Sequence, residues 1–458
     1  MTGSPTLVPA GPLGGYRPVA DELSVFDLEV AGRLPAELDG TLLRIGPNPL
    51  SAPSPSQATD PVRGHAFAGD AMVHGVRIRA GRAEWYRNRW IRTDRVCRAL
   101  GTLPTPGPRR GLSDNANDNI LRHAGRTLAL GDGGVLPVEL CPELTTIARS
   151  DLDETLPDGL CAHPERDMVT GELYAVAYQP GRGYVQYLTI DVAGRVRRCE
   201  PIELGHTPMM HAFSLTDRQA VLYDLPVVYN AAAAAAGSRV PYAWDDRVAA
   251  RLGVLPRDGS GADVRWIDVE PCYVFHPVNA YEADGRVVLD VVRHDRVFDA
   301  DRLSPAESRP TLWRWVLDPG RGTVVEDRQL DDTIVEFPGM DERFKGMPHR
   351  YAFAVSMRPG SCGVLAGPAL VRHDLLTGAT DVHRFGPGRL TGEPAFIPRS
   401  PDAPEADGWL LSFVYDAADD RSDLVVLDTA DFTGPPVAEI RLPVRVPHGF
   451  HAGWIAAR

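Results

Sequence analysis

Four histidines stand in settings where an imidazole needs a partner: His163 in LCAHPERD, His211 in PMMHAFSLT, His276 in YVFHPVNAYE and His451 in HGFHAGWI. Each lies in or beside an apolar stretch, where an unpaired ring is costly to bury. A metal ion would satisfy all four together. Neutral imidazoles suit Fe, Cu, Zn or Ni, and nitrogens alone leave the ion's charge uncompensated. Carboxylates that accept the rings' second N–H groups would orient them and offset that charge. Glu336 in VEFPGMDER and Glu393 in TGEPAFIPR are acids set inside apolar runs, unlike ordinary surface glutamates. The chain has 13 histidines in all; His65, His74, His123, His294, His373 and His383 read as hydrogen-bonded structural or surface residues.

Histidines so far apart in sequence meet most naturally in a closed fold with radial symmetry, such as a propeller whose inner strands surround an axis. The elements for such a fold are present. Hairpins of β-branched and aromatic residues around Gly- or Asp-containing turns recur at 173–198, 283–294 and 408–429, and continue from about position 40 to the end without a compositional break. This predicts one all-β domain over 1–458, a propeller or a large sandwich. An arm over 1–37, irregular to position 20, precedes it, and 50–63 reads as loop. Helical signal is confined to Tyr229–Gly253, where the run Ala231 to Ala236 and then DDRVAARLG predict one or two helices. Residues 229–254 are read either as a flexible insertion or as an apolar cap or membrane-facing mouth.

The formal net charge of -13 argues against nucleic acid as a partner, and against anchoring to anionic lipid through a basic patch. Six cysteines without a CxxC pair argue against a disulfide framework or a thiolate-held metal. Cys161 and Cys272, close to two of the histidines, read as packed core thiols. No secretory leader and no long apolar span is evident, so a soluble or peripherally membrane-associated cytoplasmic protein is expected.

In order along the chain, LDGTLLRIGPNPL, FAGDAMVH, EWYRNRWIRTD, NDNILRHAGRTLAL, CAHPERDMVTGELYAVAY, MMHAFSLTDRQAVLYDLP, FHPVNAYE, EFPGMDER, GEPAFIPR and VPHGFHAGW resemble the carotenoid cleavage oxygenase family, which also holds stilbene-cleaving enzymes and a retinoid isomerase. The resemblance runs from about 38 to 455. It implies a seven-bladed β-propeller with a small helical or loop cap over the metal-bearing face, and Fe(II) held by His163, His211, His276 and His451. Glu336 and Glu393 match glutamates that hold ligand histidines. The implied reaction is cleavage of a conjugated C=C bond by O2 into two carbonyl products. The implied substrate is an apocarotenoid first and a full-length carotenoid second.

The chain departs from the family pattern at several points. Asp132 takes the place of a third glutamate; one methylene shorter, it is expected to need a water or a backbone shift to reach its histidine. Asp118 replaces a threonine near an open iron position, where a carboxylate would alter O2 access or coordinate. Ala212 and Ala71 also replace family residues. Gly131 replaces the lysine with which stilbene-cleaving relatives meet a phenol. A stilbenoid or phenylpropanoid oxygenase, a non-oxidative polyene isomerase, a propeller binding protein and, less favoured, a zinc hydrolase are the competing functions.

Overall fold

The computed structural model describes residues 14–50, 66–111, 113–358 and 365–457. Tight turns set its hairpins. Ala80–Gly81, Ala124–Gly125 and Asp284–Gly285 each place two successive residues at positive φ (47° and 72°, 49° and 80°, 51° and 73°). Such turns twist in the same sense as the strands they join, and glycine adopts the second position without strain.

Repetition of these hairpins builds seven antiparallel sheets, the blades of a β-propeller. The first blade contains Gly40–Pro47, Ala71–Arg79 and Arg82–Trp90. Its innermost strand is the C-terminal Ala452–Ala456, paired with Gly40–Pro47. Blades two to six open with the inner strands Asn119–His123, Glu165–Arg166, Phe213–Leu215, Pro277–Ala283 and Val335–Gly339. The seventh blade's inner strand is interrupted: Arg389–Thr391 and Ala395–Pro398 both pair with Gly408–Asp416, leaving Glu393 in the gap. Inner strands touch between the first and second, third and fourth, fourth and fifth, fifth and sixth, and seventh and first blades.

Burial follows this layering. Leu173–Tyr178 is buried along its whole length because adjacent blades cover both its faces, whereas the outer strand Thr323–Gln329 is mostly exposed. The arm expected over 1–37 proves to be partly built in. Ser24–Phe26 pairs with the outer edge of the first blade and Val30–Gly32 with that of the seventh, because a short β-prone segment finds unpaired main chain there. The ring is therefore closed from both chain ends. The loop expected at 50–63 falls almost wholly outside the described residues, as do residues 1–13 of the arm.

The cap is smaller than the sequence suggests. Val227–Tyr229 pairs with Tyr242–Trp244, and the helix Ala231–Ala235 lies between them, its first turn capped by the Asn230 side chain. Among the described residues, 236–250 contain no second helix. Arg251–Pro256 is instead a strand of the fourth blade, with Leu252, Val254 and Leu255 buried; core burial overrides the helix preference of Ala, Arg and Leu.

Glycine at position 46 lets two segments meet. A Cβ there would stand 2.5 Å from Gly449 Cα and 3.0 Å from Phe450 N. Gly46→Ala should therefore displace the 449–451 segment and destabilise the fold by about 1–3 kcal/mol. Denaturant unfolding measures this, and an unchanged midpoint would show that the segment yields freely.

Candidate metal centre and its cavity

Each blade places one chemistry-bearing residue at or just before its innermost strand. Asp118, His276 and His451 immediately precede Asn119, Pro277 and Ala452; His163, His211 and Glu393 stand two residues before theirs; Glu336 is the second residue of Val335–Gly339. Main-chain bonds fix these starts: Cys161 N–H to Val176 O (3.0 Å), Met209 N–H to Val227 O (2.8 Å) and Val292 N–H to His276 O (3.0 Å). His163, His211, His276 and His451 converge, with one nitrogen of each inside a cluster 4.8 Å across. His163 Nε2 lies 3.0 Å from His211 Nε2, which lies 3.2 Å from His276 Nε2. Two nitrogens each ~2.1 Å from one ion and at right angles to it stand ~3.0 Å apart. The cluster therefore has the spacing of a shared-metal site with room for further ligands.

Carboxylates hold three of the rings from behind. His276 Nδ1 donates to Glu336 Oε2 at 2.6 Å, His451 Nδ1 to Glu393 Oε1 at 3.0 Å, and His211 Nδ1 to Asp132 Oδ2. A proton on Nδ1 leaves the Nε2 lone pair facing inward, the form a metal needs. Asp132 thus bonds its histidine directly. It is braced by Ala162 N–H (2.9 Å) and the Tyr178 hydroxyl (3.2 Å). The turn that follows it, with Gly133 and Gly134 at φ 74° and 80°, folds the main chain close to the site.

Glu336 also accepts from His294 Nε2 (2.8 Å) and from Phe337 N–H (2.6 Å). His294 therefore belongs to the support of the site, a role its surroundings in VVRHDRV do not signal. Phe337 sits at φ 53°, at a register shift between Glu336 and Gly339. Bulky residues seldom adopt this conformation, and such bulges re-aim side chains. Here the bulge turns the carboxylate toward two rings while Phe337 stacks on His276 (centroids 5.4 Å apart). The other histidines read as structural behave so where described: His123 meets Asp191 O, His373 Thr380 and His383 Phe432 O. His65 lies outside the described residues. Cys161 and Cys272 are buried free thiols.

Burial, reinforced by the neighbouring rings, holds His163 well below the usual histidine range. Burial also takes His276 down to about 4 against the pull of Glu336. For His211 burial is outweighed by Asp132 and Asp118, which lift it to about 9. Burial raises the Glu336 carboxyl, but the His276 and His294 rings reverse this and hold it far below the carboxylate range. Asp118 is pushed up to about 6, chiefly by burial. It lies 3.6 Å from His451 Nε2 and 3.9 Å from His211 Nδ1.

Behind Glu393, the buried Arg44 donates to Gly449 O at 2.6 Å. Burial, aided by this guanidinium, depresses His74 and His448 to about 3. A free histidine titrates near pH ~6.5, so below that pH the unfolded chain binds protons that these two folded rings refuse. Stability should fall as pH drops from ~6.5 toward 3, by up to about 1.4 kcal/mol per pH unit for each ring. Urea midpoints of metal-free protein at neutral and mildly acidic pH test this; equal midpoints would contradict it.

One face of the cluster opens into a cavity of about 560 Å³, a size suited to a small organic ligand. Phe67, Phe275, Phe337 and Phe450 wall it near the histidines, Tyr229, Val240 and Tyr242 of the cap hairpin close it, and Arg95 and Arg239 also line it. The opposite face meets a second cavity of about 590 Å³ whose lining includes Glu165, Arg166 and Lys345. Phe353, Phe396 and Trp454 also line this second cavity, together with His163, His276 and His451.

A propeller with four histidines at its axis and carboxylates behind three of them defines a closed, narrow class. The retinal pigment epithelial membrane protein family model matches residues 16–456. A carotenoid cleavage oxygenase of Mycobacterium tuberculosis is 42% identical, with 96% of each chain covered. An isoeugenol monooxygenase of Pseudomonas nitroreducens is 31% identical, with 97% of each covered. The solved structure of Pseudomonas brassicacearum lignostilbene dioxygenase superposes with a TM-score of 0.85 at 29% identity, covering 96% of this chain and 97% of that one. The chain belongs to the carotenoid cleavage oxygenase family, an oxygenase-type family of enzymes.

Proposed function

We propose that the protein is an Fe(II)-dependent dioxygenase that cleaves a conjugated C=C bond of an apocarotenoid, or secondarily a carotenoid. The observation that carries this is the convergence of His163, His211, His276 and His451 beside an aromatic-walled cavity. When bound, ferrous iron would supply the electrons and open coordination positions that dioxygen chemistry requires. The chain's own residues do the rest. Asp132, Glu336 and Glu393 hold three rings in the liganding tautomer. Phe275, Phe337 and Phe450 offer faces to a flat conjugated substrate and keep water from it. Across the reaction the C=C bond and O2 are consumed, and each carbon leaves as a carbonyl bearing one oxygen.

A stilbenoid or phenylpropanoid substrate is the second reading. Tyr178, Tyr229 and Tyr242 line the cavity, and the buried Tyr242 hydroxyl has no hydrogen-bond partner among the described residues; a phenol oxygen is a chemically matched one. Against it, Gly131 has no room for a lysine, since even a Cβ would stand 2.6 Å from Asn115 O. Anaerobic iron loading followed by O2 uptake with apocarotenoids and hydroxystilbenes separates the two, with products identified by mass. Iron bound without O2 uptake on any substrate would favour an isomerase or a binding protein.

Transient contact with a membrane surface belongs to the same proposal. No helix among the described residues is long and apolar enough to cross a membrane, but Ala231, Ala232, Ala235 and Ala236 of the cap are exposed and uncharged. A cytoplasmic setting fits the described cysteines, all free thiols. Ala232→Asp should weaken liposome binding without changing iron content; equal binding by wild type and variant would exclude the contact.

A further inference from the structure

The turn that carries Arg239 is fixed by the end of the cap helix. Ser238 N–H donates to Ala233 O (2.9 Å) and Gly237 N–H to Ala234 O (2.9 Å), with Gly237 at φ 86°. This pair of bonds is a glycine-dependent stop that satisfies a helix's last carbonyls. Ser238 Oγ then donates to Val240 O at 3.1 Å, and Asn230 N–H to Pro241 O at 2.8 Å. Arg239 therefore leaves a braced main chain, and it lines the cavity of about 560 Å³ beside Val240.

Arg95 reaches the same cavity from a separate element, the helix Asp94–Leu100, whose first turn is capped by the Thr93 side chain. Both arginines are also exposed to solvent, so they stand where the cavity opens, whereas His211 and His451 are buried at its inner end. The lining acids away from the histidines are already engaged. Asp114 accepts from Arg149 (2.7 Å) and from Asp94 N–H (2.7 Å), and Asp70 accepts from Leu50 N–H (3.2 Å). Arg95 Nη1 lies 3.4 Å from Asp70 Oδ2, a contact that engages one arm of its five-donor fork. Among the described residues, no hydrogen bond or ion pair reaches Arg239. Burial and the neighbouring Arg95 lower its guanidinium from the usual range, against the pull of Asp70; it stays charged at neutral pH. Two like charges brought to one opening repel unless an anion lies between them. The chain as a whole carries -13, so this pair stands out against an acidic background.

We propose that the substrate carries a carboxylate at the end remote from the histidines, received by Arg239 and Arg95. This rests on the reading of the aromatic-walled cavity as the seat of a conjugated substrate, and it names the substrate class. A guanidinium matches a carboxylate through two parallel N–H···O bonds, while Phe67, Phe275 and Phe337 take the apolar body between rim and histidines. A polyene acid is therefore preferred over its neutral ester, alcohol or hydrocarbon.

Binding to protein kept anaerobic, so that nothing is cleaved, tests this through quenching of tryptophan fluorescence. The probes are all-trans-retinoic acid and its methyl ester, which differ by one methyl group and one charge. Wild type should bind the acid at least ~10-fold more tightly than the ester. Added salt should shrink that ratio, and in the double variant Arg95→Gln, Arg239→Gln it should approach one. Equal affinity of wild type for the two probes, or a preference for the acid that survives in the double variant, would overturn the carboxylate assignment while leaving the cavity as an apolar seat. Wild type that binds neither probe would overturn both. If the double variant does not fold, the salt series decides, and a wild-type ratio unchanged by salt would overturn the assignment.

Discussion

His276→Ala protein will fold, yet lose its metal and its activity together. His276 immediately precedes the fifth blade's inner strand, with its Nε2 3.2 Å from that of His211. Removing the ring deletes one ligand and opens a gap on the cavity side of the cluster. Loss of a supporting group behind a ligand costs a metal site about 10–100-fold in affinity, and loss of the ligand itself should exceed that. Glu336 keeps His294 and the Phe337 N–H as partners, so the cost to folding is that of one charge-assisted hydrogen bond, about 1.5–3 kcal/mol. Added imidazole, small enough to occupy the gap, should restore part of the metal content. Metal analysis and turnover with and without imidazole check this. Full metal occupancy in the variant would show that His276 is not a ligand.

Glu336→Gln should keep the ligands in place and still weaken the site by about 10–100-fold in metal affinity. The carboxylate accepts three bonds at once, from His276 Nδ1, His294 Nε2 and Phe337 N–H. A glutamine offers one acceptor oxygen and an NH2 that confronts a ring N–H, leaving at least one buried donor unsatisfied at about 1–3 kcal/mol. His276 would then be free to turn or to exchange tautomers, so Nε2 would no longer be held as the inward acceptor. A Co(II) titration separates this from a general loss of fold: the variant should unfold cooperatively and bind metal weakly. Wild-type affinity in that variant would mean that the Glu336 bond holds the strand and not the ring.

Much of this cluster could be read from the chain because each of its four histidines carries its own local mark, an imidazole inside an apolar run at the mouth of a strand. Glu336 and Glu393 were visible for the same reason. The hairpins were visible in pairs such as Asp284–Gly285, where the turn residues carry the required backbone. What could not be read depends on packing between blades. His294 meets Glu336 across 42 positions of sequence, a contact that exists only because the fifth and sixth blades lie side by side. The direct bond from His211 to Asp132, beside a turn with two glycines at positive φ, could not be read from side-chain length alone. Arg251–Pro256 was hidden by helix-favouring residues that the fourth blade takes into its core. The strands Ser24–Phe26 and Val30–Gly32 were too short to announce themselves before the open blade edges were known.

The most direct test of the account is turnover of the iron-loaded protein under isotopically heavy O2 with an apocarotenoid substrate, the carbonyl products being reduced at once to prevent exchange with water. The account predicts one O2 consumed per bond cleaved and heavy oxygen in both fragments. Label confined to one fragment, or substrate converted without O2 uptake, would contradict it.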